Sequence, residues 1–251
     1  MTPDYPGECR IPALRTLWKE AFGDTDAFLN SFFATAYTSR RCRCICSGDA
    51  AAAALYWFDV TCGRQKFAYI YAVATARSSR GKGLCRRLMD DTAALLKARG
   101  YDGILLVPQD EGLRQMYGTM GYLPATAITE ELCVAGNPVS VKELSPAAFA
   151  LRRRELLPSG SVLQEGENLS FLSTQARFYA AEDMLAAVSR ESEHLRILEY
   201  LGDPDNAPAL VAALGHREAT LRRPGGSLPF SMYLPLSQQC RKPEYFAFCF
   251  D

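Results

Sequence analysis

A short basic segment spanning residues 77 to 89, RSSRGKGLCRRLM, carries the residue types that bind an anion. Gly81 and Gly83 allow the backbone to approach a ligand closely. Positive charge is placed around them by Arg80, Lys82, Arg86 and Arg87. The apolar residues that follow recur at helical spacing, so the segment should lead into the first turn of a helix. The free N–H groups and the dipole of a helix start favour phosphate, and we therefore predict a phosphate-binding turn.

Two familiar phosphate loops do not fit this turn. A Walker loop needs Gly-x-x-x-x-Gly-Lys followed by Ser or Thr, but Ala76 stands at its first position and Gly83 follows Lys82. A dinucleotide fingerprint needs Gly-x-Gly-x-x-Gly, and Arg86 takes the place of its third glycine. The turn therefore belongs to a different class of phosphate site.

The turn resembles the acetyl-CoA loop of the GNAT N-acetyltransferase superfamily, whose pattern is Gln or Arg, two residues, Gly, one residue, then Gly or Ala. Arg80 and Gly83 match this pattern, and Cys85 replaces the last small residue. In the superfamily the strand before the loop splays from its neighbour and binds the pantetheine arm through its backbone. The resemblance implies an acetyl-CoA site made of Val73, Ala74, Thr75, Arg80, Gly81, Lys82, Gly83, Leu84, Cys85 and Arg86.

Cys85 is the one departure within the loop. A thiol at a helix N-terminus among arginines favours the thiolate, so we expect Cys85 to be open to oxidation. A thiolate beside the pyrophosphate would also weaken binding of the cofactor.

A second segment, DEGLRQMYGTMGY, strengthens the resemblance. It matches the superfamily's Asn-x-x-Ala-x-x-hydrophobic-Tyr-x-x-x-Gly-Phe segment at Met116, Tyr117, Gly121 and Tyr122, with Asp110 and Leu113 at the Asn and Ala positions. By this resemblance Tyr117 protonates the leaving sulfur of coenzyme A. An aromatic residue of a helix stripe is the alternative interpretation of Tyr117 taken alone.

The base that accepts the proton of the amine has no clear candidate. The strand GILLV after the loop helix offers only apolar side chains, where several relatives carry a glutamate. Glu130 and Glu131 follow on a predicted strand and could act through water. Asp251 is a third candidate, because two-domain relatives that act on aminoglycosides use a terminal carboxylate. Ordinary surface solvation is the alternative for all three acids.

The resemblance implies transfer of an acetyl group from acetyl-CoA to a primary amine of a small molecule or peptide. A non-catalytic acyl-CoA-binding or interaction module with the same fold is the alternative. Tyr56, Trp57, Phe58, Tyr69 and Tyr71 lie on strands that line the acceptor side in the superfamily, where a cationic or apolar amine could stack on them. Core packing explains these aromatic residues as well.

The elements of the first half fit a mixed α/β domain. Helices are predicted at Pro12 to Phe22, after the cap Thr25, from the loop to about Ala98, and in the Tyr117 segment. Strands are predicted at Arg41 to Cys46, Ala51 to Val60, Gln65 to Thr75 and Ile104 to Val107. This is an α/β or α+β arrangement, and the resemblance makes it a GNAT fold with a central mixed sheet and flanking helices.

The second half repeats this order. Helices are predicted at Pro146 to Leu156, Glu167 to Tyr179 and Ala207 to Leu214, and strands at Met184 to Arg190 and Leu195 to Leu201, with three closing strands that end in YFAFCFD. We predict two domains, residues 1–136 and a degenerate GNAT-like copy at residues 137–251, as in a group of bacterial two-domain GNAT proteins. GDPDNAPALVAAL follows Leu201 without a basic cluster, so one cofactor site per chain is expected.

Composition narrows the class of protein further. The chain has 251 residues, of which 28 are basic and 28 acidic, which argues against a nucleic-acid partner. We find neither a signal peptide nor a membrane span, and expect a cytoplasmic protein without a membrane partner. The nine cysteines are odd in number and irregularly spaced, so reduced thiols are expected. Cys42, Cys44 and Cys46 share one face of a strand as small apolar residues, and no metal site is predicted.

Overall fold

The computed structural model of the chain describes residues 2–190 and 194–249. These residues form two compact units that interleave along the chain. The first comprises the described residues up to Leu106, together with Asp110–Leu123 and Tyr233–Arg241. The second comprises Val107–Gln109, Pro124–Met232 and the described residues from Lys242 onward.

Helices and strands alternate along both units. The helices are α1 (Ile11–Phe22), α2 (Asp26–Thr35), α3 (Leu84–Ala98), α4 (Glu111–Gly118), α5 (Pro146–Leu156), α6 (Gly166–Gln175) and α7 (Ala207–Ala213). The strands are β1 (Cys42–Ser47), β2 (Ala50–Cys62), β3 (Gln65–Thr75), β4 (Gly103–Leu106), β5 (Leu123–Pro124), β6 (Ala127–Val134), β7 (Lys142–Leu144), β8 (Val162–Leu163), β9 (Ala176–Ala180), β10 (Met184–Ser189), β11 (Leu195–Gly202), β12 (Glu218–Pro224), β13 (Leu228–Pro229) and β14 (Met232–Pro235). No described helix has both the length and the apolar character that crossing a membrane requires.

The first unit is built on the strand order β1-β2-β3-β4-β14-β5. β2 is antiparallel to β1 and β3, whereas β3 and β4 run parallel with α3 between them. Trp18 of α1 packs against Phe32 of α2 and Tyr56 of β2, with ring centroids 4.6 Å and 5.0 Å away. Leu88 and Leu96 of α3 are fully buried. The helices thus bury their apolar stripes in one core with the sheet.

The second unit has the strand order β13-β6-β12-β11-β10-β9-β7. Two helices, α5 and α6, precede an antiparallel run of β9, β10 and β11, and α7 then leads to β12 parallel to β11. The first unit has the same order in α1 to β4. The predicted mixed fold and its second copy are therefore present in the structure.

The two sheets exchange their last strands. Next to β4 lies β14, followed by β5, and next to β12 lies β6, followed by β13. In the chain, β6 follows β5 and β14 follows β13. The repeat in the first half of the chain ends at β5, and the next strand, β6, pairs in the second sheet. The repeat in the second half ends at β13, and the next strand, β14, pairs in the first sheet. The division into domains 1–136 and 137–251 stays a prediction, which these interleaved compact units do not reproduce strand by strand.

Two predicted elements of the second half are wrong. The helix expected to reach Tyr179 ends at Gln175, because buried Ala176 and Phe178 alternate with exposed Arg177 and this period of two suits strand β9. The closing strand expected in YFAFCFD is an extended buried segment with a single bridge, Ser161 to Tyr245, over its described residues. Residues 250 and 251 lie outside the described part.

The cysteine-rich strand differs from its prediction at its start. Arg41 lies in a 3-10 turn, and β1 begins at Cys42. Cys42 and Cys44 are buried, and the sulfur of Cys44 lies 3.8 Å from that of Cys46. All nine cysteines are free thiols. The described residues contain no group of three or more His, Cys, Asp or Glu side chains that could hold a metal ion.

Candidate functional site

The site begins where β3 separates from β4. The β3–β4 ladder pairs Phe67 with Gly103, Ala68 with Ile104 and Tyr69 with Leu105. Beyond Tyr69, β3 continues to Thr75, and its pairing with β2 on the other side reaches Thr75 as well. Residues 73–75 of β3 therefore lie beyond the end of the β3–β4 ladder. Backbone N–H and C=O groups on a strand edge can bind an extended ligand as a strand would.

A bulge lies beside this part of β3. Ala72 has φ of 50°, and no other described residue except glycine has a positive φ. The β2–β3 register shifts between Ala54 and Tyr56, so Leu55 faces both Ala72 and Val73. Such bulges turn the backbone groups of a strand to a new direction and are frequent beside active sites. The sequence gives no warning of this bulge, because alanine rather than glycine occupies the strained position.

The phosphate-turn candidate follows β3 directly. It consists of a 3-10 turn, Arg77–Ser79, and a segment in which Gly81 and Gly83 have φ of 73° and 71°. Gly83 is the N-cap of α3. A Cβ on either glycine would have nothing within 4 Å. The backbone here is therefore bare on its outer side, in a conformation that glycine adopts without strain.

The turn is fixed by hydrogen bonds to its own backbone and to α1. Glu20 of α1 accepts a hydrogen bond of 2.7 Å from the backbone N–H of Arg77. Arg80 donates from Nε to the carbonyl of Thr75 at 3.3 Å, and Lys82 donates from Nζ to the carbonyl of Ser78 at 2.8 Å. The basic side chains thus lie along the turn rather than extending away from it. Nothing in the sequence pattern singled out Glu20.

Cys85 does not have the acidic thiol that its position suggested. It lies in the first turn of α3, where burial raises the pKa of the thiol and the nearby Arg86 lowers it by less. Desolvation outweighs the favourable charge, so the thiol form prevails. The expectation of a thiolate is therefore wrong. Leu84 beside it is buried, so its side chain is not open to a ligand.

The Arg86 guanidinium is hydrogen-bonded to the end of α4. Its Nη1 donates to the carbonyl of Thr119 at 3.1 Å, and its Nη2 donates to Oγ1 of Thr119 at 2.7 Å. Thr119 follows the last residue of α4. The guanidinium predicted to hold phosphate is instead bonded to the helix that carries Tyr117.

Tyr117 lies in the last turn of α4. The helix begins at the cap Asp110, whose side chain accepts a hydrogen bond of 2.7 Å from the backbone N–H of Leu113. The Tyr117 side chain is 6% exposed, and its ring centroid lies 5.7 Å from that of Tyr122. Burial, and next the nearby Cys85, raise the pKa of Tyr117 above its ordinary value. The hydroxyl carries its proton at neutral pH, as any tyrosine does, and the raised pKa makes it a weaker acid than an ordinary tyrosine.

The candidate bases on β6 are already paired. Glu130 lies 2.9 Å from Nη2 of Arg222, and Glu131 lies 2.8 Å from Nε of Arg223. Both arginines belong to the neighbouring strand β12. Each carboxylate is therefore already engaged in an ion pair on the sheet. Asp251, the third candidate, lies outside the described residues.

An open cavity of about 430 Å³ adjoins the start of α3. Its lining residues are Thr2, Pro3, Gly83, Arg86, Arg87, Asp90 and Asp91. The cavity therefore continues the bare surface at Gly83 along one side of α3.

Comparison with known proteins agrees with this geometry. Residues 7–125 match the model of the acetyltransferase (GNAT) domain family. No curated protein sequence is significantly similar to the chain. A GCN5-related N-acetyltransferase from Kribbella flavida superposes with a TM-score of 0.71 at 17% identity, over 92% of this chain and 70% of that chain. A GCN5-related N-acetyltransferase from Anabaena variabilis gives 0.69 at 15% identity, over 94% and 73%.

A tandem GNAT protein from the clavulanic acid biosynthesis pathway is also similar in fold. Its TM-score is 0.59 at 11% identity, over 95% of this chain and 99% of that chain. Residues 7–125 thus match the GNAT acetyltransferase domain family, and the chain has the fold of GNAT proteins of similar length. The family and the fold support an acyltransferase role.

Proposed function

We propose that the protein is an acetyl-CoA-dependent N-acetyltransferase that acts on a primary amine of a small molecule or peptide. One observation carries the proposal: the part of β3 beyond the β3–β4 ladder runs directly into a glycine turn at the N-terminus of α3. An extended arm and a pyrophosphate are joined in the same order in coenzyme A. The alternating backbone groups suit the arm, and the helix start suits the anion.

The residues of this segment divide the binding between them. Val73, Ala74 and Thr75 would hydrogen-bond to the pantetheine amides through their backbone. The amides from Gly81 to Arg86 would bind the pyrophosphate, with Arg80 and Lys82 adding positive charge. The bound thioester supplies the activated acetyl group. The space outside Gly81 and Gly83, where no protein atom lies within 4 Å of a Cβ, leaves room for that ligand.

Two groups of the chain would act on the reacting atoms. The backbone N–H near Val73, turned by the bulge at Ala72, would donate a hydrogen bond to the thioester oxygen as it gains negative charge. The Tyr117 hydroxyl would give its proton to the departing sulfur. The amine loses its proton to solvent in this scheme, since Glu130 and Glu131 are held in ion pairs.

The aromatic residues of β2 and β3 contribute little open surface for the amine. Trp18 packs 5.9 Å from Tyr71, and Phe58 stacks 6.0 Å from Tyr69. Tyr56, Trp57, Phe58 and Tyr69 are buried, whereas Tyr71 is half-buried. We therefore assign most of this cluster to the core and place only Tyr71 at the acceptor side. A cytoplasmic location is part of the proposal, which nine free thiols support.

Calorimetry with acetyl-CoA and release of free thiol with an amine panel test the proposal on the full chain. We expect saturable binding of acetyl-CoA and amine-dependent thiol release. Binding without release under any amine would indicate the non-catalytic acyl-CoA-binding module instead. Absence of binding to acetyl-CoA and to coenzyme A would refute both.

A further inference from the structure

The hydrogen bonds between Arg86 and Thr119 connect the start of α3, next to the phosphate-turn candidate, with the end of α4, which carries Tyr117. We infer that Arg86 is a positioning residue, which sets the last turn of α4, and Tyr117 with it, against the start of α3. The inference rests on the proposed function for its catalytic consequence. It reverses the role that the sequence pattern gave to Arg86, because the contact uses the guanidinium for protein rather than for phosphate.

The hydrogen bonds continue from Arg86 into the last turn of α4. Oγ1 of Thr119 accepts from Nη2 of Arg86 at 2.7 Å and donates to the carbonyl of Met116 at 2.7 Å. The carbonyl of Thr119 accepts from Nη1 of the same arginine. Two parallel bonds from one planar guanidinium fix both the distance and the direction of the partner. The arginine thus holds the side chain and the backbone of Thr119 together.

The turn that Arg86 holds is the one that contains Tyr117. The carbonyl of Tyr117 accepts from the N–H of Met120 at 2.9 Å and from the N–H of Tyr122 at 3.2 Å. The chain then reverses at Gly121, where φ is 89°. A cation near these final carbonyls also interacts favourably with the negative end of the helix dipole. Without the arginine, the end of α4 would lose the two hydrogen bonds that tie Thr119 to α3.

Arg87 provides a matched control for Arg86. It is the next residue of α3, carries the same charge, is exposed and lines the same cavity. In the described part of the chain, its guanidinium makes no hydrogen bond or ion pair. Removal of Arg87 therefore takes the same positive charge away from the start of α3 without touching α4.

The experiment compares Arg86→Ala, Arg87→Ala, Thr119→Val and Thr119→Ser in the full chain. Hydrogen exchange of the amides from 117 to 122 is measured without ligand, acetyl-CoA affinity by calorimetry, and kcat and KM with the best amine of the panel. We expect Arg86→Ala and Thr119→Val to speed exchange of these amides at least tenfold and to lower kcat about 10- to 100-fold, the range for a catalytic group displaced by about 1 Å. Affinity for acetyl-CoA should stay within about threefold.

Two controls separate positioning from charge. Thr119→Ser keeps the hydroxyl and should restore exchange and kcat to nearly the level of the unaltered protein. Arg87→Ala should leave exchange of the amides from 117 to 122 unchanged, because it leaves the contact between Arg86 and Thr119 in place. The double variant Arg86→Ala with Thr119→Val should lose no more kcat than either single change, because both remove the same link.

The inference fails if Arg86→Ala lowers acetyl-CoA affinity tenfold or more while exchange of 117–122 and kcat are unchanged, since Arg86 would then bind phosphate. Unchanged exchange in Thr119→Val also overturns it. If the unaltered protein binds no acetyl-CoA, the proposed function fails, and the exchange measurement alone still decides whether Arg86 fixes the end of α4.

Discussion

The two units contain the same strand-helix-strand segment with opposite chemistry in the connecting turn. In the first, β3 leads through two glycines of positive φ to α3, and the turn is bare above Gly83. In the second, β11 leads through Asp203 and Pro204 to α7. The Asp203 side chain accepts a hydrogen bond of 3.0 Å from the N–H of Asp205. In the second turn the protein's own carboxylate therefore accepts the hydrogen bond of a backbone amide, as a bound anion would.

The backbone is also crowded where β11 enters the second turn. A Cβ on Gly202 would lie 2.5 Å from the carbonyl oxygen of Asp183. At Gly83 the same test finds open space. The comparison shows that a shared fold does not confer a shared site, since the site depends on which residues fill one turn.

The largest effect should follow from a side chain at the bare turn. Gly83→Val places a branched side chain where the pyrophosphate would lie, so acetyl-CoA binding should become undetectable by calorimetry. Gly100→Val is the matched control, because Gly100 has φ of 75° after the other end of α3 and its Cβ would also meet nothing within 4 Å. Both variants carry similar backbone strain. Undiminished affinity in folded Gly83→Val would remove the phosphate turn from the site.

Tyr117→Phe should cost turnover rather than binding. General acid catalysis is worth about 100- to 10,000-fold, so kcat should fall within that range while the affinity for acetyl-CoA stays nearly constant. The raised pKa of Tyr117 means that its proton stays in place as pH rises to its ordinary pKa of 10.0 and beyond. Below that pH, Tyr117 should therefore contribute nothing to any loss of activity in alkali. The pH profiles of the variant and the unaltered protein, each divided by its own maximum rate, should then coincide. Turnover of Tyr117→Phe at the unaltered rate would leave only a core role for the ring.

The second turn should not bind acetyl-CoA. We expect one acetyl-CoA per chain, and Asp203→Asn should change neither stoichiometry nor affinity, because that carboxylate serves its own turn. Calorimetric titration of both proteins gives these numbers directly. A stoichiometry near two would mean that the second unit binds acetyl-CoA without a basic turn.

The smallest effect is expected at Cys85. Cys85→Ala should leave acetyl-CoA affinity equal or slightly higher, since burial raises the pKa of the thiol and little thiolate is present at neutral pH. Alkylation of Cys85 by iodoacetamide should be slow at pH 7 and should become faster only as pH rises toward the raised pKa. The exposed Cys9 in the same protein is the internal reference. Faster alkylation of Cys85 than of Cys9 at pH 7 would contradict the burial argument.

Local sequence signals predicted much of the first unit and less of the second. The bounds of α3 and β3 followed from helical spacing, strand composition and two glycines, all of which are local. The bulge at Ala72 depends on the pairing of β3 with β2, and the direction of Arg86 depends on a threonine 33 residues further along the chain. β6 and β14 could each have paired in either of the two sheets, and a short apolar strand carries no local signal that decides between them. Asp203 was visible in the sequence, but the amide that it caps was not.

The exchanged strands also bear on how the chain is made. β14, Met232–Pro235, can pair with β4, Gly103–Leu106, only after all of the chain between them has been synthesised. Contacts between residues so distant in sequence slow folding, and an unfilled sheet edge attracts other chains in the meantime. Until β14 has been synthesised, the edge of β4 in the first unit therefore stays unpaired. A chain truncated before residue 232 should associate with copies of itself, even though its cofactor turn is complete.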